Sequence, residues 1–170
     1  DTKRSGVKTR RKRFVFGLRN RKHRRMNEQL LPLAALAVAA DGKLEGITRF
    51  QKLVFLAQRE RDGAEPYEFR ADDYGPFSPD LYDDIDRLVA ADLIDYDERI
   101  TDIGNTKQVY SLTEKGRRAV ENSDASEFPV SETELTALGD EFEHVDLWDL
   151  LEYVYTEYPR MARNSELSLV

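Results

Sequence analysis

The sequence predicts a mainly helical α+β chain: a winged helix-turn-helix with a small β-hairpin wing, followed by a C-terminal helical extension. Three observations carry this expectation. SPDLYDDIDRLVAADLI (78–94) places Ser78 as N-cap and Pro79 at the first helical position, with acids in the first turn where they favour the helix dipole. IDYDERI (94–100) and KQVYSL (107–112) read as two strands joined at Gly104–Asn105, a hairpin. Around them the elements run helix, helix, strand, helix, hairpin, helix, which is the order of a winged helix.

Taken in order, Glu28–Ala40 is a predicted helix with Leu30, Leu31, Leu33, Ala34, Leu36 and Val38 as its apolar residues. Pro32 is tolerable near the first turn, and Asp41–Gly42 ends it. In GITRFQKLVFLAQRERDG (46–63), Ile47, Phe50, Leu53, Val54 and Ala57 share one face of a second helix closed by Asp62–Gly63. A short strand is predicted at Tyr67–Arg70, followed by a loop. In the third helix Leu81, Ile85, Leu88 and Val89 make an apolar stripe. After the hairpin, Thr113 caps a short helix, TEKGRRAVEN. The polar stretch 122–130 precedes SETE (131–134), a predicted capping box, and a helix carrying Leu135, Leu138, Phe142 and Val145. A last helix carries Leu147, Leu150, Leu151, Val154, Tyr155 and Tyr158 and stops at Pro159. The organisation expected is therefore a basic leader (1–25), a winged-helix core (26–121), a helical pair (131–159) and a tail (160–170).

A chain of 170 residues is long enough for one well-buried core. No run of 18 apolar residues is present, so no membrane-spanning helix and no membrane partner are expected. The absence of cysteine excludes disulfides, thiolate zinc sites and cysteine nucleophiles. Charge is sharply divided. Residues 1–25 hold 12 of the 26 Lys and Arg and one of the 33 acids, a net +11; the remainder holds 14 bases against 32 acids, a net −18. The acidic part has only four lysines, and its composition resembles that of proteins from salt-loving organisms, which stay soluble through high net charge.

The leader has no apolar periodicity and reads as disordered. Three origins fit it: a basic arm for a phosphate backbone, an export signal, or an over-extended reading frame upstream of Met26. RKHRRMNEQLLPLAALAVAADGK (21–43) has the outline of a signal peptide. Its basic flank vanishes if translation starts at Met26, and its apolar run serves better as the first helix of the core. A cytoplasmic protein is therefore expected.

RFQKLVFLAQ (49–58), YGPFSPDLYDDIDRL (74–88), YSLTEKG (110–116) and YVYTEYP (153–159), in that order, resemble the Panacea domain and the related YwgA-type proteins. The resemblance covers about Glu28 to Ser165. It implies a winged-helix-like fold without known catalytic activity, and a role like that of antitoxins, which neutralise a partner protein such as a toxin by direct contact. The acidic third helix departs from what a DNA-binding regulator would carry.

Phosphate-binding glycine loops, nucleophile elbows and H-E-x-x-H are all missing, so no enzyme, cofactor or metal is expected. His144, near Asp146 and Asp149, reads as an ordinary residue. DNA is the conventional partner of a winged helix, but Asp80, Asp83, Asp84 and Asp86, opposed by Arg87, would face phosphates; so would Asp95, Asp97, Glu98 and Asp102 of the wing. Two basic groups are candidates for contacting an acidic partner or a phosphate: Arg49, Gln51 and Lys52 on the second helix, and Lys115, Arg117 and Arg118 after the hairpin. Tyr74, Gly75 and Pro76 read as a structural turn aiming Ser78 into its helix. Trp148, Tyr153, Tyr155 and Tyr158 cannot share one narrow stripe, which makes 131–159 a candidate for self-association.

Overall fold

The computed structural model describes residues 28–61 and 64–166. The leader lies outside the described residues. Helix α1 spans 28–38, two residues short of the predicted end, because Ala40–Gly42 turns in a 3₁₀ coil with Asp41 (φ 56°) and Gly42 (φ 66°) left-handed. A short strand that the sequence pattern did not announce, β1 (Lys43–Glu45), follows, and then α2 (Ile47–Glu60). Strands β2 (Arg70–Asp72) and β3 (Gly75–Phe77) form a small antiparallel hairpin before α3 (Pro79–Ala90). The long hairpin β4 (Ile94–Ile100) and β5 (Thr106–Leu112) leads to α4 (Glu114–Glu121). Helices α5 (Glu132–Phe142) and α6 (Leu147–Glu157) follow, and then a 3₁₀ turn at Pro159–Ala162. The fold is α+β and mostly helical, with β1, β5 and β4 in one antiparallel sheet, in that order.

Helix α2 is the centre of the core. It packs against β1, β3, α5 and α6, so it is enclosed on most sides. Phe50, Val54, Phe55 and Leu56 are fully buried, each worth about 1.5–3 kcal/mol on transfer from water. Leu31 and Leu36 of α1, Leu81 and Ile85 of α3, Leu135 of α5 and Leu150 and Val154 of α6 complete one cluster. Enclosure has a consequence for α2's polar residues: a buried polar group must find a partner. Gln51 donates to Ser78 O (3.1 Å) and accepts from Ser78 N–H (2.9 Å). Gln58 does the same to Tyr67 (2.8 and 2.9 Å), and Lys52 Nζ donates to Pro76 O (2.9 Å). Three side chains of one helix thus hold the backbone of the segment that links α2 to α3.

That clamp explains why the strand predicted at Tyr67–Arg70 begins only at Arg70. Both backbone groups of Tyr67 are taken by Gln58 and are not available to a ladder. The predicted capping box at 131–134 is half formed. Ser131 Oγ accepts from Glu134 N–H (3.2 Å), but the Glu134 carboxylate lies beside Arg61 Nε (4.0 Å). A reciprocal box forms instead inside the polar stretch, where Asp124 accepts from Ser126 N–H and Glu127 accepts from Asp124 N–H. As far as Glu166 the tail is held to the β2–β3 hairpin, where Asn164 donates to Ala71 O (3.1 Å) and Glu166 N–H to Asp73 O (2.9 Å).

Candidate partner interface

Helix α3 is placed by its own sequence and by α2. Ser78, held at both backbone groups by Gln51, caps the helix by accepting from Leu81 N–H (3.2 Å), and Pro79 follows. Leu81, Ile85 and Leu88 turn inward, which leaves Asp80, Tyr82, Asp83 and Asp86 on the outer face. Asp84, expected on that face, is buried. It accepts from Tyr67 OH (2.8 Å), Arg87 (3.1 Å) and Gln29 (3.3 Å), so it is a structural acid and Arg87 is committed to it. Its charge also helps push the Tyr67 hydroxyl far above its ordinary range, after burial, the main cause.

The register sorts the β4–β5 hairpin into two faces. Tyr96 opposes Tyr110, Glu98 opposes Gln108 and Ile100 opposes Thr106 on one face; Asp95, Asp97, Arg99 and Lys107 alternate onto the other. The hairpin's two cations both serve Glu45 of β1, Lys107 at 2.8 Å and Arg99 at 3.3 Å. The first face turns toward α3. The Tyr110 hydroxyl is pushed up to about 12 by burial first, and then by Tyr82, Asp86 and Tyr96 beside it. Ring contacts extend this into a row: Phe77 to Tyr82 at 6.0 Å, Tyr110 to Tyr96 at 6.2 Å, with Tyr110 edge-on to buried Phe50 at 5.5 Å. Tyr82 and Tyr96 are 43% and 42% exposed, and Ile100 and Ile103 at the hairpin tip 81% and 83%. The face is therefore aromatic, flanked by Asp83, Asp86 and Glu98, and its nearest arginine is engaged elsewhere.

The other sequence candidates have different places. Gln51 and Lys52 are inside, with Lys52 2% exposed, so neither presents a surface to a partner. Arg49 is half-buried and donates to Val145 O (2.7 Å). Lys115 reaches Ala91 O (2.9 Å), Arg118 pairs with Glu114 (3.2 Å), and Arg117 is exposed. Asp73–Tyr74 makes the turn between β2 and β3, with Gly75 at φ 86° and Pro76 buried in β3. Of the C-terminal aromatics, Trp148 is exposed, but Tyr153 and Tyr158 both donate to Glu60 and Tyr155 bonds Ser165, all within the chain. His144 lies 3.9 Å from Glu143 and is exposed. No group of three His, Cys, Asp or Glu among the described residues could hold a metal, and no helix among them is long and apolar enough to cross a membrane.

Tyr82, Tyr96 and Tyr110 escaped sequence reasoning as a group. Pairing outward from a two-residue Gly104–Asn105 turn would set Tyr96 opposite Thr113; the observed loop, 101–105, sets it opposite Tyr110, and neither register foretells the approach of α3. The chain matches no known family model and no curated protein.

Proposed function

We propose that the chain is a non-enzymatic winged-helix module that acts by binding a partner protein through the α3–hairpin face, in the manner of the antitoxin-like Panacea group it resembles. The element order from α1 to α4, with β1 completing the hairpin sheet, supports the winged-helix assignment. One observation carries the functional reading: the face a winged helix would turn to DNA presents Tyr82, Tyr96, Asp83, Asp86 and Glu98, while Arg87, Arg99 and Lys107 are all engaged by acids of the chain itself. DNA affinity comes from cations meeting phosphates. Exposed aromatics backed by a buried core are instead what protein interfaces use. The alternative, a DNA-binding regulator, draws its support from the +11 leader rather than from this face.

The test is co-purification of the full chain with the product of a gene adjacent to its own, for the wild type and for Tyr82→Ala/Tyr96→Ala. Retention by the wild type and loss by a folded double variant is the expected result. Binding of the chain's own upstream DNA that the same substitutions abolish would establish the regulator instead.

A further inference from the structure

A cleft of about 560 Å³ opens between the end of α1, β1, α2 and α5. That volume lies within the roughly 300–1,000 Å³ of small-molecule sites. Leu53, Leu135, Leu138 and Phe142 give it apolar walls. Gly139 lets α5 approach the end of α1 closely at its floor, since a Cβ there would stand 3.1 Å from Val38 O. Three cations line it, Arg49, Lys43 and Arg99, the last paired with Glu45 at 3.3 Å. Arg49 is half-buried, yet its hydrogen bonding among the described residues is spent on a neutral carbonyl, Val145 O, and it forms no ion pair there; Glu45 and Asp146 act on it only from a distance. The Lys43 side chain makes no hydrogen bond or ion pair among the described residues. The nearest acid, Glu45, is satisfied by Lys107 and Arg99. A partly desolvated guanidinium with free donors beside an apolar wall is matched by a carboxylate on an apolar body, which Arg can hold through two parallel bonds. Asp41 and Glu143, also on the lining, oppose a multiply charged anion and so select against phosphates.

We propose that this cleft binds a small amphipathic monocarboxylate, its carboxylate on Arg49 with Lys43 alongside and its apolar chain against Leu53, Leu138 and Phe142. The site is separate from the α3–hairpin face and does not depend on the partner-binding reading. Titration of the full chain by calorimetry with decanoate, below its micelle concentration, and with the neutral analogue decanol tests it. Decanoate is expected to bind at least tenfold more tightly than decanol. Arg49→Met should remove that preference while leaving decanol binding, and Leu138→Trp should weaken both ligands at least tenfold. Circular dichroism melts show whether each variant is folded, and wild-type methyl NMR shifts at Leu53 and Leu138 locate the ligand without any variant. Equal affinity for the two probes, decanoate affinity unchanged by Arg49→Met, or shifts confined to other residues would overturn the proposal.

Discussion

Lys52 offers the sharpest physical test of the fold. Its ammonium is buried under the β2–β3 hairpin with one hydrogen bond, to Pro76 O, and burial lowers its pKa from 10.5 to about 7, against a weaker opposing pull from Asp72. The folded chain therefore releases this proton well before the unfolded chain does. Between about pH 7 and 10.5 the unfolded state binds more protons, so stability must rise with pH across that window, and below pH 7 the full cost is present. At about 1.4 kcal/mol per pKa unit that cost is about 5 kcal/mol, and the rise from pH 7.5 to 9.5 is about 2–3 kcal/mol. Lys52→Met keeps the volume and removes the titration, but leaves Pro76 O unpaired at a cost of about 1–3 kcal/mol. The variant is thus expected to be more stable than wild type at pH 6.5, by about 2–4 kcal/mol, and less stable at pH 9.5. The two curves should cross near pH 9 when urea midpoints of the full chain are followed by far-UV circular dichroism. Parallel curves would refute the argument, since they would mean that Lys52 keeps its proton in the folded state or is hydrated there.

Other outcomes follow from close contacts. Gly116→Ala would put a Cβ 2.0 Å from Leu93 O, a backbone atom, and is expected to cost more than about 3 kcal/mol in chemical denaturation; Gly139→Ala, 3.1 Å from Val38 O, should cost clearly less. Gly75→Ala combines φ 86° with a Cβ 2.7 Å from Tyr155 Cε1, so a loss of about 1–3 kcal/mol is expected, visible as a lower thermal midpoint. Tyr67→Phe removes a donor from buried Asp84, which keeps Arg87 and Gln29; a loss of about 1–2 kcal/mol is expected at pH 7 in chemical denaturation.

Elements whose cause is local were legible. Ser78–Pro79, Thr113 and Ser131 cap as read, because a cap is made by residues within three positions of one another. The β4–β5 hairpin was legible for the same reason. The short strands were not: β1 is three residues of Lys-Leu-Glu, and only its pairing with Val109–Ser111, more than sixty residues away, makes it a strand. LTEKG shows the limit of a motif as well. Its glycine could be quoted from the sequence, but the need for it lies in the Leu93 carbonyl against which α4 rests.

The misplacement of Gln51 and Lys52 has the same root, and it bears on the interface. An amphipathic reading sends polar residues of a helix outward, which holds when one face is packed. Helix α2 is packed by β1, β3, α5 and α6, so Gln51, Lys52 and Gln58 are inside and must bond there. A clue was present in the spacing: Gln51 and Gln58 are seven apart, two turns along one face, and that face also carries Phe55 one turn between them. Buried glutamines in line with a phenylalanine indicate a helix that grips another segment's backbone. Here the segment is 67–78, the chain leading into α3, and Gln51 and Lys52 hold the residues on either side of Phe77. The orientation of α3, with Tyr82 and Asp86 on its outer face, is thereby fixed from the core, so under the proposed partner-binding reading Gln51 and Lys52 would position contacting residues rather than make contact.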